Sequence, residues 1–130
     1  MLDQLMARGT LYKAFERVRE NGGCRGAAGM TVGDFAARLE EEIDRLEDRL
    51  LRRVYHPFPL LRLAIPKPTS GMRHLSIPTV RDRVVPTAVD LVTRDLFEKE
   101  FEDCSYAYRC GRSVRSAIHR IRELRARFAE

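Results

Sequence analysis

The chain has 130 residues, of which 44% are hydrophobic and 33% charged, and it carries a formal net charge of +5. That is enough apolar matter for one buried core and argues against disorder except at the ends. Its three cysteines, Cys24, Cys104 and Cys110, form no CxxC pair, which disfavours a disulfide scaffold or a zinc site and fits a reducing cytoplasm.

No apolar run approaches membrane-spanning length, and Met1-Leu2-Asp3-Gln4 lacks the character of a leader, so neither an anchor nor a signal peptide is expected. The charge is lopsided. Residues 1–50 carry 8 basic and 10 acidic groups, net −2, and residues 51–130 carry 16 and 9, net +7. A polyanionic partner is therefore expected to touch the second part.

In chain order, Leu11, Phe15 and Val18 predict a helix over 10–21, closed by Asn21-Gly22-Gly23. A loop with four glycines follows, up to Gly29. Thr31 with Asp34 reads as a helix cap, and Phe35, Leu39, Ile43, Leu46 and Leu50 mark one face of a single helix reaching Arg53. The run Glu40-Glu41-Glu42 reads as its solvated side.

Pro57 and Pro59 end the helical regime. Leu60 to Ile65 and Arg73 to Ile77 predict two antiparallel strands around the turn Pro68-Thr69-Ser70-Gly71. Thr79 and Asp82 cap a helix carrying Val84, Val85, Ala88, Leu91, Val92 and Leu96, with Pro86 expected to kink it. After Phe97, Phe101 and a loop from Glu102 to Gly111, Ser113 caps the last helix. There Val114, Ala117, Ile118, Ile121, Leu124 and Phe128 are expected to face inward, leaving Arg115, Arg120, Arg122, Arg125 and Arg127 outside. The fold class is α+β, mainly helical with one small antiparallel β-hairpin.

Two basic elements carry the chemistry. A triphosphate needs permanent positive charges set around it without bulk. Lys67, held between Pro66 and Pro68, offers a point charge, and Arg73 across the turn offers a forked donor. In Arg109-Cys110-Gly111-Arg112-Ser113, the glycine admits a phosphate close to the backbone, at the start of a helix where free N–H groups carry partial positive charge. Taken alone, each motif is more often ordinary surface: a hairpin with solvating charges, or a helix cap with surface arginines. Tyr106 and Tyr108 could stack on bases, although partial burial in the preceding loop is the expectation. His56, His74 and His119 are scattered and read as surface or core histidines, and Cys110 has no paired His or resolving Cys.

Taken in order, five segments carry a resemblance. They are Leu11-Tyr12-Lys13-Ala14-Phe15-Glu16-Arg17-Val18, Gly29-Met30-Thr31-Val32, Ile65-Pro66-Lys67-Pro68, Ile77-Pro78-Thr79-Val80-Arg81-Asp82-Arg83-Val84-Val85, and Ser105-Tyr106-Ala107-Tyr108-Arg109-Cys110-Gly111-Arg112-Ser113. The pattern resembles the N-terminal part of group II intron-type bacterial reverse transcriptases, a lineage that includes maturases and CRISPR-associated members. The Ser-Tyr-Ala-Tyr-Arg phrasing leans towards the latter.

The resemblance implies a helical N-terminal extension over 1–56 and a fingers subdomain over 57–130, with palm and thumb absent. It implies that Lys67 and Arg73 contact the triphosphate of an incoming dNTP and that Ile77 and Pro78 lie against the templating base. Arg81, Arg83, Arg109, Gly111, Arg112 and Ser113 are then candidate nucleic-acid contacts, and residues 10–31 help hold template RNA. The partners implied are an RNA template, a DNA primer, dNTP and the remaining polymerase domains, with no membrane. Magnesium is expected in the parent enzyme on ligands outside this chain, and no catalytic or metal-binding residue is expected within it, because neither the first palm aspartate nor a Tyr-x-Asp-Asp turn occurs.

Ala28 stands where the family usually has an acid, Ala107 where glycine is common, Cys110 where proline is customary and Pro86 where glutamine is usual. None of these departures removes a charge from the expected phosphate site. Two other functions remain compatible with the residues: a stand-alone basic RNA- or DNA-binding module without catalysis, and a fragment that forms a homodimer through exposed apolar surface.

Overall fold

In the computed structural model, which describes residues 2–128, the short helix α1 (Leu2–Met6) leads into α2 (Arg8–Asn21). Leu11, Ala14, Phe15 and Val18 recur at helical spacing along α2 and are all buried. The helix closes at Gly22, whose φ of 61° suits glycine and whose N–H donates to Arg19 O at 3.0 Å. Thr31 and Asp34 then start α3 (Val32–Ala37) as expected. The Asp34 N–H donates to Thr31 Oγ1 at 3.1 Å, and the Thr31 N–H donates to Asp34 Oδ2 at 2.9 Å. Those bonds hold the Asp34 carboxyl below the usual aspartate range.

The single helix expected up to Arg53 is two. Arg38 leaves helical geometry, at φ −125° and ψ 32°, and α4 (Leu39–Leu51) begins after it. No glycine or proline marks this break. It leaves Phe35 stacked on Phe15, with ring centroids 5.0 Å apart, while Ile43 and Leu46 of α4 join the same core.

Strands β1 (Leu61–Pro66) and β2 (Met72–Ile77) form a two-stranded antiparallel sheet, and α5 (Val80–Glu100) follows. Val80, Val84 and Ala88 of α5 complete the core built by α2, α3 and α4. The helix runs through Pro86 without ending there. Residues on both sides of position 56 share this core. The chain forms two compact units, one reaching Val92 and the other starting at Thr93.

The second unit holds the end of α5 and α6 (Val114–Phe128). Here the expected inward face is corrected. Val114 is 77% exposed, Ile121 64% and Phe128 80%, and no described residue of α6 is buried. The apolar spacing is real, but the described residues leave most of that face exposed. Leu96 and Phe97 of α5 are likewise exposed. No helix among the described residues is long and apolar enough to cross a membrane.

Candidate nucleotide and nucleic-acid interface

The hairpin register pairs Leu61 with Ile77, Leu63 with Leu75 and Ile65 with Arg73, and the Lys67 N–H donates to Gly71 O at 2.9 Å. Side chains opposite one another in an antiparallel ladder share a face, and faces alternate with period two. Lys67, Arg73 and Ile77 therefore lie on one face, with Ile65 and Leu63 between them. Lys67 and Arg73 are diagonal neighbours, roughly 7–8 Å apart at the backbone, a separation long side chains bridge easily. Gly71, at φ 81°, makes the tight return possible. Both cations are exposed, and neither has an ion-pair partner among the described residues.

The hairpin is held at its base. Its own apolar side chains contribute little packing, since Leu63, Leu75 and Met72 are 40–51% exposed. Asp82, 7% exposed, ties the segment entering β1 to the start of α5. It accepts from Tyr55 Oη at 2.7 Å, from the Phe58 N–H at 2.9 Å and from Thr79 Oγ1 at 2.6 Å. Burial alone would raise the Asp82 carboxyl, but the Thr79, Tyr55 and Phe58 hydrogen bonds and the Arg81 charge together hold it low. Burial, then the neighbouring Asp82, pushes the Tyr55 phenol up.

Two residues expected at nucleic acid turn inward at this base. The Arg81 guanidinium packs 4.2 Å over the Phe58 ring and donates to His56 O at 3.2 Å. Its Nε, buried without a hydrogen-bond partner, lies 3.6 Å from Asp82 Oδ1, so the carboxylate compensates its charge. Arg83 donates from Nε to Pro78 O at 3.2 Å, from Nη1 to Gly22 O at 3.4 Å, and from Nη2 to Cys24 O. It thus fastens the glycine loop to the junction after β2.

Gly26 reinforces that junction. A Cβ at this position would fall 2.6 Å from both Pro78 O and Thr79 Cα, which are backbone atoms with no freedom to swing aside. Gly26→Ala is expected to destabilise the first unit by about 1–3 kcal/mol through overpacking. A chemical-denaturation midpoint equal to that of the parent chain would show that the loop yields without cost.

In the second unit, the pentapeptide from Arg109 to Ser113 works mainly as a stitch. The Arg109 side chain is 5% exposed. It grips Glu98 Oε1 from Nε at 3.0 Å and from Nη2 at 2.6 Å, and its Nη1 donates to Glu102 O and Ser105 O. The bonds from Arg109 hold the Glu98 carboxyl low, and that carboxylate raises Arg109 in turn. Arg112 donates to Asp103 O and lies 5.1 Å from the centre of the Tyr106 ring. Ser113 caps α6 as expected, its Oγ accepting from the Ser116 N–H at 3.2 Å, and Gly111 takes a φ of 73°.

Of the residues singled out from sequence, Lys67, Arg73 and Ile77 come together on one face, and Pro78 follows at its fixed end. The guanidinium groups of Arg81, Arg83 and Arg109 are engaged internally. Sequence reasoning missed the hub role of Asp82, which reads locally as a capping residue, and the burial of Arg109 against Glu98, eleven residues earlier. It also expected Tyr108 to be partly buried; that side chain is fully exposed. Among the described residues no group of three or more His, Cys, Asp or Glu side chains could hold a metal ion.

No family model matches the chain. Similarity to individual proteins is nevertheless clear. The chain is 32% identical over 114 residues to the group II intron-encoded protein LtrA of Lactococcus lactis subsp. cremoris, covering 85% of this chain and 18% of that protein. It is 26% identical over 118 residues to the COX1/OXI3 intron 1 protein of Saccharomyces cerevisiae, covering 88% of this chain and 14% of that protein. These matches place the chain among the relatives of group II intron-encoded proteins, a reverse transcriptase and maturase-related lineage. It is also 37% identical over 97 residues to protein YkfC of Escherichia coli strain K12, covering 75% of this chain and 26% of that protein. The chain thus spans about a quarter or less of the length of the curated relatives it matches.

Proposed function

We propose that these residues form the nucleotide- and template-handling part of an RNA-directed DNA polymerase. The observation that carries this reading is the hairpin face on which Lys67, Arg73 and Ile77 lie together, with neither cation paired to a carboxylate among the described residues. Lys67 supplies a compact charge and Arg73 a planar fork, so a triphosphate can be held at two points without a titrating group. Ile77 and Pro78, at the braced end of the same face, offer an apolar surface on which a templating base can rest. The chain's own contribution is binding and orientation, which lowers the entropic cost of the reaction. The metal-dependent transfer and the carboxylates it needs belong to the remaining polymerase domains, for which the largely exposed apolar side of α6 is a natural contact. RNA template and DNA primer are the proposed macromolecular partners.

Titration of the intact chain with a dNTP and with the matching dNMP tests this reading. The triphosphate is expected to bind at least about tenfold more tightly, a difference of about 1.4 kcal/mol. Its affinity is expected to fall as salt rises. RNA binding with no preference for triphosphate over monophosphate would instead make the chain a general nucleic-acid binder.

A further inference from the structure

We propose that Tyr108 is a stacking platform for an unpaired base of single-stranded nucleic acid; the proposal rests on the nucleic-acid reading above but not on the hairpin. The loop that carries Tyr108 is fastened on both sides of it. Arg109 is locked to Glu98 and to the Glu102 and Ser105 carbonyls, and Arg112 to the Asp103 carbonyl. The Arg112 N–H closes a turn onto Arg109 O at 3.3 Å, and the Ser105 N–H donates to Glu102 O at 3.0 Å. Arginines lie over two neighbouring aromatic rings, Arg109 over Phe101 and Arg112 over Tyr106, each 5.1 Å from the ring centre. Tyr108 is the exception. Its relative exposure is 108%, and its φ is +59°.

Folding gives no reason for a tyrosine there. A fully solvated ring buries no apolar surface, so it adds nothing to the hydrophobic term. A left-handed backbone penalises every side chain with a Cβ, and glycine would fit without penalty. An aromatic ring that the fold exposes at a cost is suited to a task outside the fold. The stitched loop also holds the ring in place beforehand, so little freedom is lost when a ligand stacks on it.

The charge nearby favours a polyanion over a protein surface. The following helix carries Arg115, Arg120, Arg122, Arg125 and Arg127 against the single acid Glu123. Arg115, Arg122, Arg125 and Arg127 have no ion-pair partner among the described residues. A ring for the base and unpaired arginines for the backbone are the combination that binds single strands. Bases inside a duplex already have their faces stacked, which selects the unpaired form.

The probe is a single-stranded 12-mer of uridine, titrated into the intact chain at low salt. The protein contains four tyrosines and no tryptophan, so its intrinsic emission reports tyrosine directly. Binding is expected to quench part of that emission. Tyr108→Ala is expected to weaken binding about 5- to 150-fold, the range that base stacking on one aromatic supports. Tyr108→Phe is expected to keep the affinity, and Tyr108→Gly to lose the affinity while melting at a higher temperature than the parent. Equal affinity of Tyr108→Ala and the parent would overturn the stacking role and leave the hairpin proposal standing. An equal loss on a duplex of the same length would overturn it too. Failure of the parent chain to bind the 12-mer would overturn the stacking role together with the template-handling reading.

Discussion

Replacing Asp82 by alanine is expected to cost the first unit about 3–5 kcal/mol, the range found when one partner of a buried, hydrogen-bonded charge pair is removed. The carboxylate holds four groups at once: the Tyr55 hydroxyl, the Phe58 N–H, the Thr79 hydroxyl and the Arg81 charge. Alanine removes the acceptor of the Tyr55 hydroxyl, the Phe58 N–H and the buried Thr79 hydroxyl together with the counter-charge of Arg81, and stranding such donors costs more than the bonds contributed. Asp82→Asn keeps the shape and one acceptor, so a smaller loss is expected.

The pH dependence follows from the direction of the carboxyl shift. Its folded value lies below the usual aspartate value. Its contribution is therefore complete above the unfolded value, near pH 4, and is lost as pH falls through the lower folded value. Urea midpoints measured from neutral pH down to about pH 3 should fall for the parent chain and fall less for Asp82→Ala. Coincident midpoints for the two proteins at neutral pH would contradict the hub role. Because Asp82 also anchors Phe58, just before β1, the same variant should loosen the base of the hairpin.

Lys67→Ala and Arg73→Ala are each expected to weaken triphosphate binding about 10- to 100-fold, since hydrogen bonds to charged groups contribute about 1.5–3 kcal/mol. Neither change should move the melting temperature appreciably, because both side chains are exposed and unpaired within the described residues. Arg73→Lys should restore only part of the loss, because an ammonium keeps the charge and gives up the two-pronged grip. Melting and nucleotide titration on the same samples separate the two effects. Unchanged affinity in both alanine variants would remove the hairpin from nucleotide binding.

The parts of this molecule that sequence made legible are those whose causes are local. Thr31 with Asp34, Gly22 after Asn21 and the Ser70-Gly71 turn act within a few residues of one another. The pairing of Ile65 with Arg73 follows from the turn between them. The roles of arginines were not legible, because their partners are remote. Arg83 reaches Gly22 and Cys24, 61 and 59 residues away, and no spacing rule links them. Arg109 has the look of an anion-binding residue, yet Glu98 on the preceding helix takes its fork.

Periodicity told a half-truth about α6. Ile118, Ile121 and Leu124 do form a stripe, but spacing reports only that a face is apolar and not whether anything lies against it. The break at Arg38 carried no signal, because a non-glycine residue there adopts a geometry that many side chains tolerate. Tyr108 was hidden for a related reason: a tyrosine in a loop reads as an anchor, and only its φ and full exposure reveal the opposite.

The grip of one ligand by Lys67 and Arg73 together is tested most directly by nuclear magnetic resonance of the intact chain with both side chains observed. As dNTP is added, the Lys67 ammonium and Arg73 guanidinium resonances should shift along one isotherm and saturate together, while those of Arg81 and Arg83 stay within their internal bonds. Saturation of only one of the two cations, or two isotherms with different midpoints, would contradict a shared triphosphate.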